Sequence, residues 1–69
     1  MCALDANKLH NKIYEKGLTI DRVSKMSGIN IELLGEVIFG HKPITIGNAA
    51  KLKETLGLTN AEAINIFLS

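Results

Sequence analysis

Apolar residues recur along this chain at three- and four-residue spacing, and each run stands between a capping residue and a breaker. Leu9 with Ile13, Val23 with Met26, Leu34 with Val37, Leu52 with Leu56, and Ile64 with Phe67 and Leu68 each mark one side of a helix. Thr19, Asn30, Thr45 and Thr59 precede four of these runs, where a side-chain oxygen accepts a backbone N–H that the first turn leaves unpaired; Asp5 is placed to do the same for the first. Thr59 and Glu62 have the spacing of a capping box, and Leu18 with Val23 and Ile29 with Leu34 have that of hydrophobic staples. Gly17, Gly28, Gly40 and Gly57 fall where helices end, and Pro43 sits in the loop before the fourth. The pattern predicts five short helices, at 5–16, 20–27, 31–39, 46–56 and 60–68, with no strand: an all-α fold. The expected core is the residues of those stripes together with Leu18, Ile29 and Leu58. Met26 and Phe67 are read as core rather than as the lining of a ligand pocket.

At 69 residues and 46% hydrophobic content, there is material for one core and one domain, spanning 1–69. Cys2 is the single cysteine, so no intrachain disulfide supports the fold and a reducing compartment is expected. Apolar runs are too short for a membrane span or a secretory signal, which makes the expected location cytoplasmic, in a bacterial cell.

Catalysis lacks its parts. Ser24, Ser27 and Ser69 have no histidine base in reach of the pattern, His10 and His41 have no metal-ligand spacing, and Gly28 and Gly35 do not make a phosphate loop, so no enzyme activity, cofactor or metal is predicted. Lys8, Lys12 and Lys16 form a stripe on the first helix that reads as a solvated face. The net charge of +1 is a weak attraction for a polyanion.

The stretch GLTIDRVSKMSGIN resembles the first half of the helix-turn-helix in Xre/Cro-type, lambda-repressor-like domains. In that family a glycine and Leu-Thr open the second helix, a small residue sits in its middle and a glycine makes the turn. Gly17, Leu18, Thr19, Val23, Ser24, Gly28 and Ile29 stand in those places, Gly40 matches the glycine after the recognition helix, and PITIGNAAKLKETLGLTNAE resembles the closing helices. The resemblance implies a helix-turn-helix at about 20–39 and a role in bacterial or phage transcription.

The departures from the family bear on function. Ile20 stands where a phosphate-binding Gln is usual, and the recognition helix reads Ile31, Glu32, Leu33, Gly35, Glu36, with no Arg, Lys or Gln. Base readout relies on Arg, Lys, Asn and Gln, whereas Glu accepts only from cytosine and repels flanking phosphates. Ile20, Ile31, Leu33 and Phe39 instead suggest an apolar patch rimmed by Glu32 and Glu36, with Asn30 at its edge. Gly35 weakens its helix, which suits close approach of another molecule to its backbone.

Such a face is similar to that expected of the modulator-of-repression or antirepressor proteins of temperate phages. The expected partner is then a helix-turn-helix repressor, with DNA bound weakly or only through that complex. A Cro-like reading stays open, in which Asn30, Lys25 and Lys42 contact operator DNA directly. So does a homodimer formed through the same patch.

Overall fold

The computed structural model describes residues 4–68; Cys2 and Ser69 lie outside the described residues. Five helices follow one another: α1 (Ala6–Glu15), α2 (Ile20–Ser27), α3 (Ile31–Ile38), α4 (Ile46–Leu56) and α5 (Asn60–Phe67), with no strand among the described residues. No boundary departs from the sequence pattern by more than one residue, and the caps account for the agreement. Thr19 Oγ1 accepts from the Arg22 N–H at 3.2 Å, Thr45 Oγ1 from Asn48 at 3.1 Å, and Asp5 Oδ1 from Lys8 at 3.1 Å. Thr59 and Glu62 complete the capping box in both directions, at 3.1 and 3.0 Å. Each such cap is worth about 1 kcal/mol.

The turn between α2 and α3 is held by two serines. Gly28 takes φ +78° to end α2, a conformation in which a Cβ would be strained. Ser24 Oγ then donates to the Ile29 carbonyl, while Ser27 Oγ donates to the Val23 carbonyl at 2.7 Å and accepts from the Ile29 N–H at 3.2 Å. Backbone groups that the turn would orphan are satisfied within it, which sets how α3 leaves α2.

Beneath these helices lies a core made wholly of apolar side chains. Leu9, Ile13, Val23, Ile29, Leu34, Val37, Leu52, Leu56, Leu58 and Phe67 are buried, as their spacing predicts. Four expected members are not: Met26, Ile64 and Leu68 are exposed, and Leu18 is only half-buried. Ile44, Ala49 and Ile66 fill the space instead, with Ile38.

For Ile64 and Leu68 the reason lies in how α5 is rotated. Glu62 and Asn65 are drawn toward α1, where Lys12 Nζ donates to Glu62 Oε2 at 2.9 Å and Lys8 Nζ to Asn65 Oδ1 at 2.9 Å, and the Asp5 N–H donates to the Ile66 carbonyl at 2.8 Å. That rotation buries Ile66 and Phe67 and turns Ile64 and Leu68 outward. The lysine stripe is exposed at Lys8 and Lys16, as a solvated face requires, and half-buried at Lys12. Lys8 and Lys12 also fasten α1 to α5.

The Thr59 backbone N–H, and after it the Lys12 ammonium, hold the Glu62 carboxyl down from its ordinary 4.5 to about 2. A carboxylate with a depressed folded-state pKa stabilises the fold above its unfolded value, and that stabilisation disappears as pH falls from about 4.5 toward 2. Glu62→Gln is therefore expected to lower stability at neutral pH and to flatten its dependence on pH across that acid window. Urea melts of both proteins at several pH values check this.

Among the described residues no helix is long and apolar enough to cross a membrane.

Candidate functional site

The outer side of α3 is built from two neighbouring stripes. Four-residue spacing aligns Ile31, Gly35 and Phe39 along one, and Glu32 and Glu36 along the other, with Phe39 closing both at the C-terminal end. Ile31 is 44% and Phe39 62% exposed, large values for apolar side chains in a chain this small. Ile20 and Leu33, expected in the same patch, are half-buried and packed against the core, so their contribution to an outer surface is partial. Five of the eight residues of α3 are Ile, Leu or Val, too many for its spacing alone to divide inner from outer positions.

Asn30 caps α3. Its Oδ1 accepts from the Glu32 N–H at 2.8 Å and from Leu33, so the acceptor is committed and the amide NH2 is the group that could meet another molecule. Glu32 follows in the first turn, where the positive end of the helix dipole favours a carboxylate. That is also where a helix attracts a phosphate, and here the protein supplies the anion itself.

The rim is contributed by other elements. His10 of α1 meets the Phe39 ring edge-on, with centroids 6.4 Å apart and planes at 67°. His41 Nδ1 lies 3.3 Å from Glu36 Oε2, and the backbone N–H groups of His41 and Lys42 both donate to the Glu36 carbonyl, at 2.8 and 3.2 Å. Both histidines thus border the face, although their spacing in sequence gave no sign of it, since tertiary packing and the turn after α3 bring them there.

Of the cations considered for DNA contact, Lys25 pairs with Asp21 at 3.3 Å on α2, and Lys42 is exposed in the loop beyond α3. Arg22, which the sequence reading passed over, is exposed on α2 with no ion pair among the described residues. The face therefore gathers Ile31, Glu32, Gly35 and Glu36 on α3 and Phe39 at its C-cap, with Asn30 at its start and the cations on adjoining elements.

Gly35 has no role in the fold that another residue could not fill: a Cβ added there meets nothing within 4 Å. In a helix interior glycine costs about 0.5–1 kcal/mol relative to alanine. Gly35→Ala is therefore expected to raise stability by roughly that amount and the melting temperature by a few degrees, which a thermal melt measures directly.

Two solved structures share this architecture. One is an HTH_3 family transcriptional regulator from Vibrio cholerae, 25% identical over 87% of this chain, with a TM-score of 0.78. This chain covers 34% of that regulator, about a third of its length. The other is the restriction-modification controller protein C.AhdI from Aeromonas hydrophila, 24% identical over 84% of this chain and 88% of its own, with a TM-score of 0.78. No family model matches the chain, and no curated protein does. The fold is that of the helix-turn-helix regulators.

Proposed function

We infer that this chain is a transcriptional regulator that works by binding another protein through its helix-turn-helix face. Its partner is a helix-turn-helix repressor, whose DNA reading surface it occupies or reshapes, in the manner of a phage modulator or antirepressor. One observation carries the reading: the outer side of α3 offers two carboxylates and two exposed apolar side chains, and no Arg, Lys or Gln. Glu32 and Glu36 would stand where phosphates stand against a basic reading face. Ile31 and Phe39 would add apolar burial that screened surface charges do not supply. The open space at Gly35 would let the partner approach the backbone of α3.

A second reading rests on the likeness to a transcriptional regulator and a controller protein. In it the chain binds operator DNA as a Cro-like repressor, with the Asn30 amide, Lys25 and Lys42, joined by Arg22, making the contacts.

Charge separates the two. With Glu32 and Glu36 both replaced by Gln, a protein-binding modulator loses association rate and affinity for its repressor, most at low salt where screening is weakest. A DNA binder gains operator affinity as repulsion against the phosphates disappears. Affinities of wild type and the double variant for repressor and for operator, each at two salt concentrations, give the result. Tighter DNA binding with unchanged repressor binding would overturn the protein-binding reading.

A further inference from the structure

Along the outer stripe of α3, Gly35 stands one turn after Ile31 and one turn before Phe39. A missing side chain between two large exposed ones leaves a notch, and the space a Cβ would take at Gly35 meets no atom within 4 Å. The walls of the notch are held in place. Ile31 follows directly on the Asn30 cap, the Phe39 N–H donates to the Gly35 carbonyl at 2.9 Å, and His10 of α1 bears on the Phe39 ring. One long side is acidic, since Glu32 and Glu36 run along the neighbouring stripe. Glu32 enters none of the ion pairs among the described residues, and His41 Nδ1 engages only Oε2 of Glu36, which leaves Oε1 for another donor. No basic residue lies in the last turn of α3, so the negative end of the helix dipole adds to the attraction for a cation.

We propose, building on the protein-binding reading of this face, that the notch holds one arginine side chain of the partner. An arginine carries an apolar stem with a cation at its end. The notch offers matching surfaces in the same order: the aliphatic Ile31 and bare backbone at Gly35, then the Phe39 ring beside the Glu36 carboxylate. A guanidinium is flat, so it lies on an aromatic ring while its in-plane N–H groups donate to a carboxylate beside it. An ammonium is a compact, strongly hydrated charge and does not combine the two contacts. The paired carboxylates also disfavour a nucleic acid as the occupant, because they repel its phosphates. A repressor that reads DNA presents arginines of this kind, since arginine is the commonest reader of guanine. The same notch accounts for a glycine that weakens its helix and that the core does not require: a side chain at position 35 would take the place of the arginine stem.

Nuclear magnetic resonance of the isolated chain tests it, with N-acetyl-arginine amide as the probe and N-acetyl-lysine amide, at the same ionic strength, as its comparison. The arginine amide is expected to shift the Gly35 amide and Phe39 ring signals saturably, with a midpoint of about 10–50 mM, as suits one cation–π contact and one charge-assisted hydrogen bond. The lysine amide should bind about threefold more weakly or worse. Gly35→Ala should weaken the arginine midpoint by about threefold, and Gly35→Leu should abolish saturation, although both variants melt higher than wild type, so that lost binding is not lost fold. Glu36→Gln and Phe39→Leu should each weaken it as well. Tyr14, an exposed ring with Glu15 beside it in sequence, lies off α3 and should show no saturable shift. Equal saturation by the two amides, saturation undiminished in Gly35→Leu, or a response of the same signals to a short DNA duplex in place of arginine overturns the proposal. The notch and the reading of the face fail separately. Arginine capture by a chain that binds no repressor supports the notch and removes the repressor as its occupant, whereas repressor binding that survives Gly35→Leu overturns the notch and leaves the reading of the face in place.

Discussion

Ile31→Asp is expected to lower affinity for a repressor partner by about a hundredfold or more while leaving the helical circular dichroism and the melting transition intact. Ile31 is the first residue of α3, where aspartate suits the helix dipole, and its exposed side chain gives the core little that substitution would remove. In a complex the same change forfeits apolar burial of about 1.5–3 kcal/mol for a full side chain, and adds a carboxylate next to Glu32 that must be desolvated. A hundredfold loss corresponds to about 2.7 kcal/mol, within that range. Ile31→Lys sharpens the comparison, because it also forfeits the apolar contact but should improve any contact with DNA. Affinity for repressor and for a DNA duplex, measured on both variants, shows which macromolecule the face meets. An Ile31→Asp protein that binds its repressor as wild type would remove the residue from the interface.

Leu34→Ala, three residues along the same helix, is expected to have the opposite profile. Leu34 is 1% exposed among Leu9, Val23, Leu52 and their neighbours, and truncating such a leucine costs about 2–5 kcal/mol through lost burial and the cavity left behind. A chain of this length has a total stability of roughly 3–10 kcal/mol, so a large part of it would be lost. The melting temperature should fall by ten degrees or more, with partner binding falling only as far as the folded population does. Thermal melts beside binding at a temperature where the variant is still folded would show this. A fall in affinity beyond the loss of folded protein would place Leu34, or the position of α3 that it secures, in the interface itself.

What could be read in advance follows the range over which each signal acts. Capping is local: Thr19, Asn30, Thr45 and Thr59 each act on backbone within three residues, so the helix boundaries were legible almost to the residue. The rotation of a helix about its own axis is not local where apolar residues surround it. In α5, Ala61, Ala63, Ile64, Ile66 and Phe67 spread around the axis, and the contacts of Glu62 with Lys12 and of Asn65 with Lys8, fifty or more residues away in sequence, decide it.

The same ambiguity affects α3. Its lack of basic side chains is plain from sequence, but that Ile20 and Leu33 lean on the core while Ile31 and Phe39 stay outside is settled by packing. His10 reaches the border of the face through a tertiary contact and His41 through the turn after α3, and the spacing of neither encodes it. The two serines of the turn are intermediate. A small residue at Ser24 was expected from the family resemblance, while its hydrogen bond to the Ile29 carbonyl emerges only when α3 is in place.

The claim that the face on α3 meets protein rather than DNA is tested most directly by fluorescence anisotropy of a labelled phage operator duplex, alone and saturated with its helix-turn-helix repressor, as this chain is titrated in at low salt. No binding to the bare duplex is expected at concentrations where non-specific helix-turn-helix contacts register, about 1–100 μM, together with a dose-dependent change in the repressor–operator signal that Ile31→Asp abolishes. Micromolar binding to the bare duplex that weakens steeply with salt, and a repressor–operator signal that does not respond, would contradict the claim.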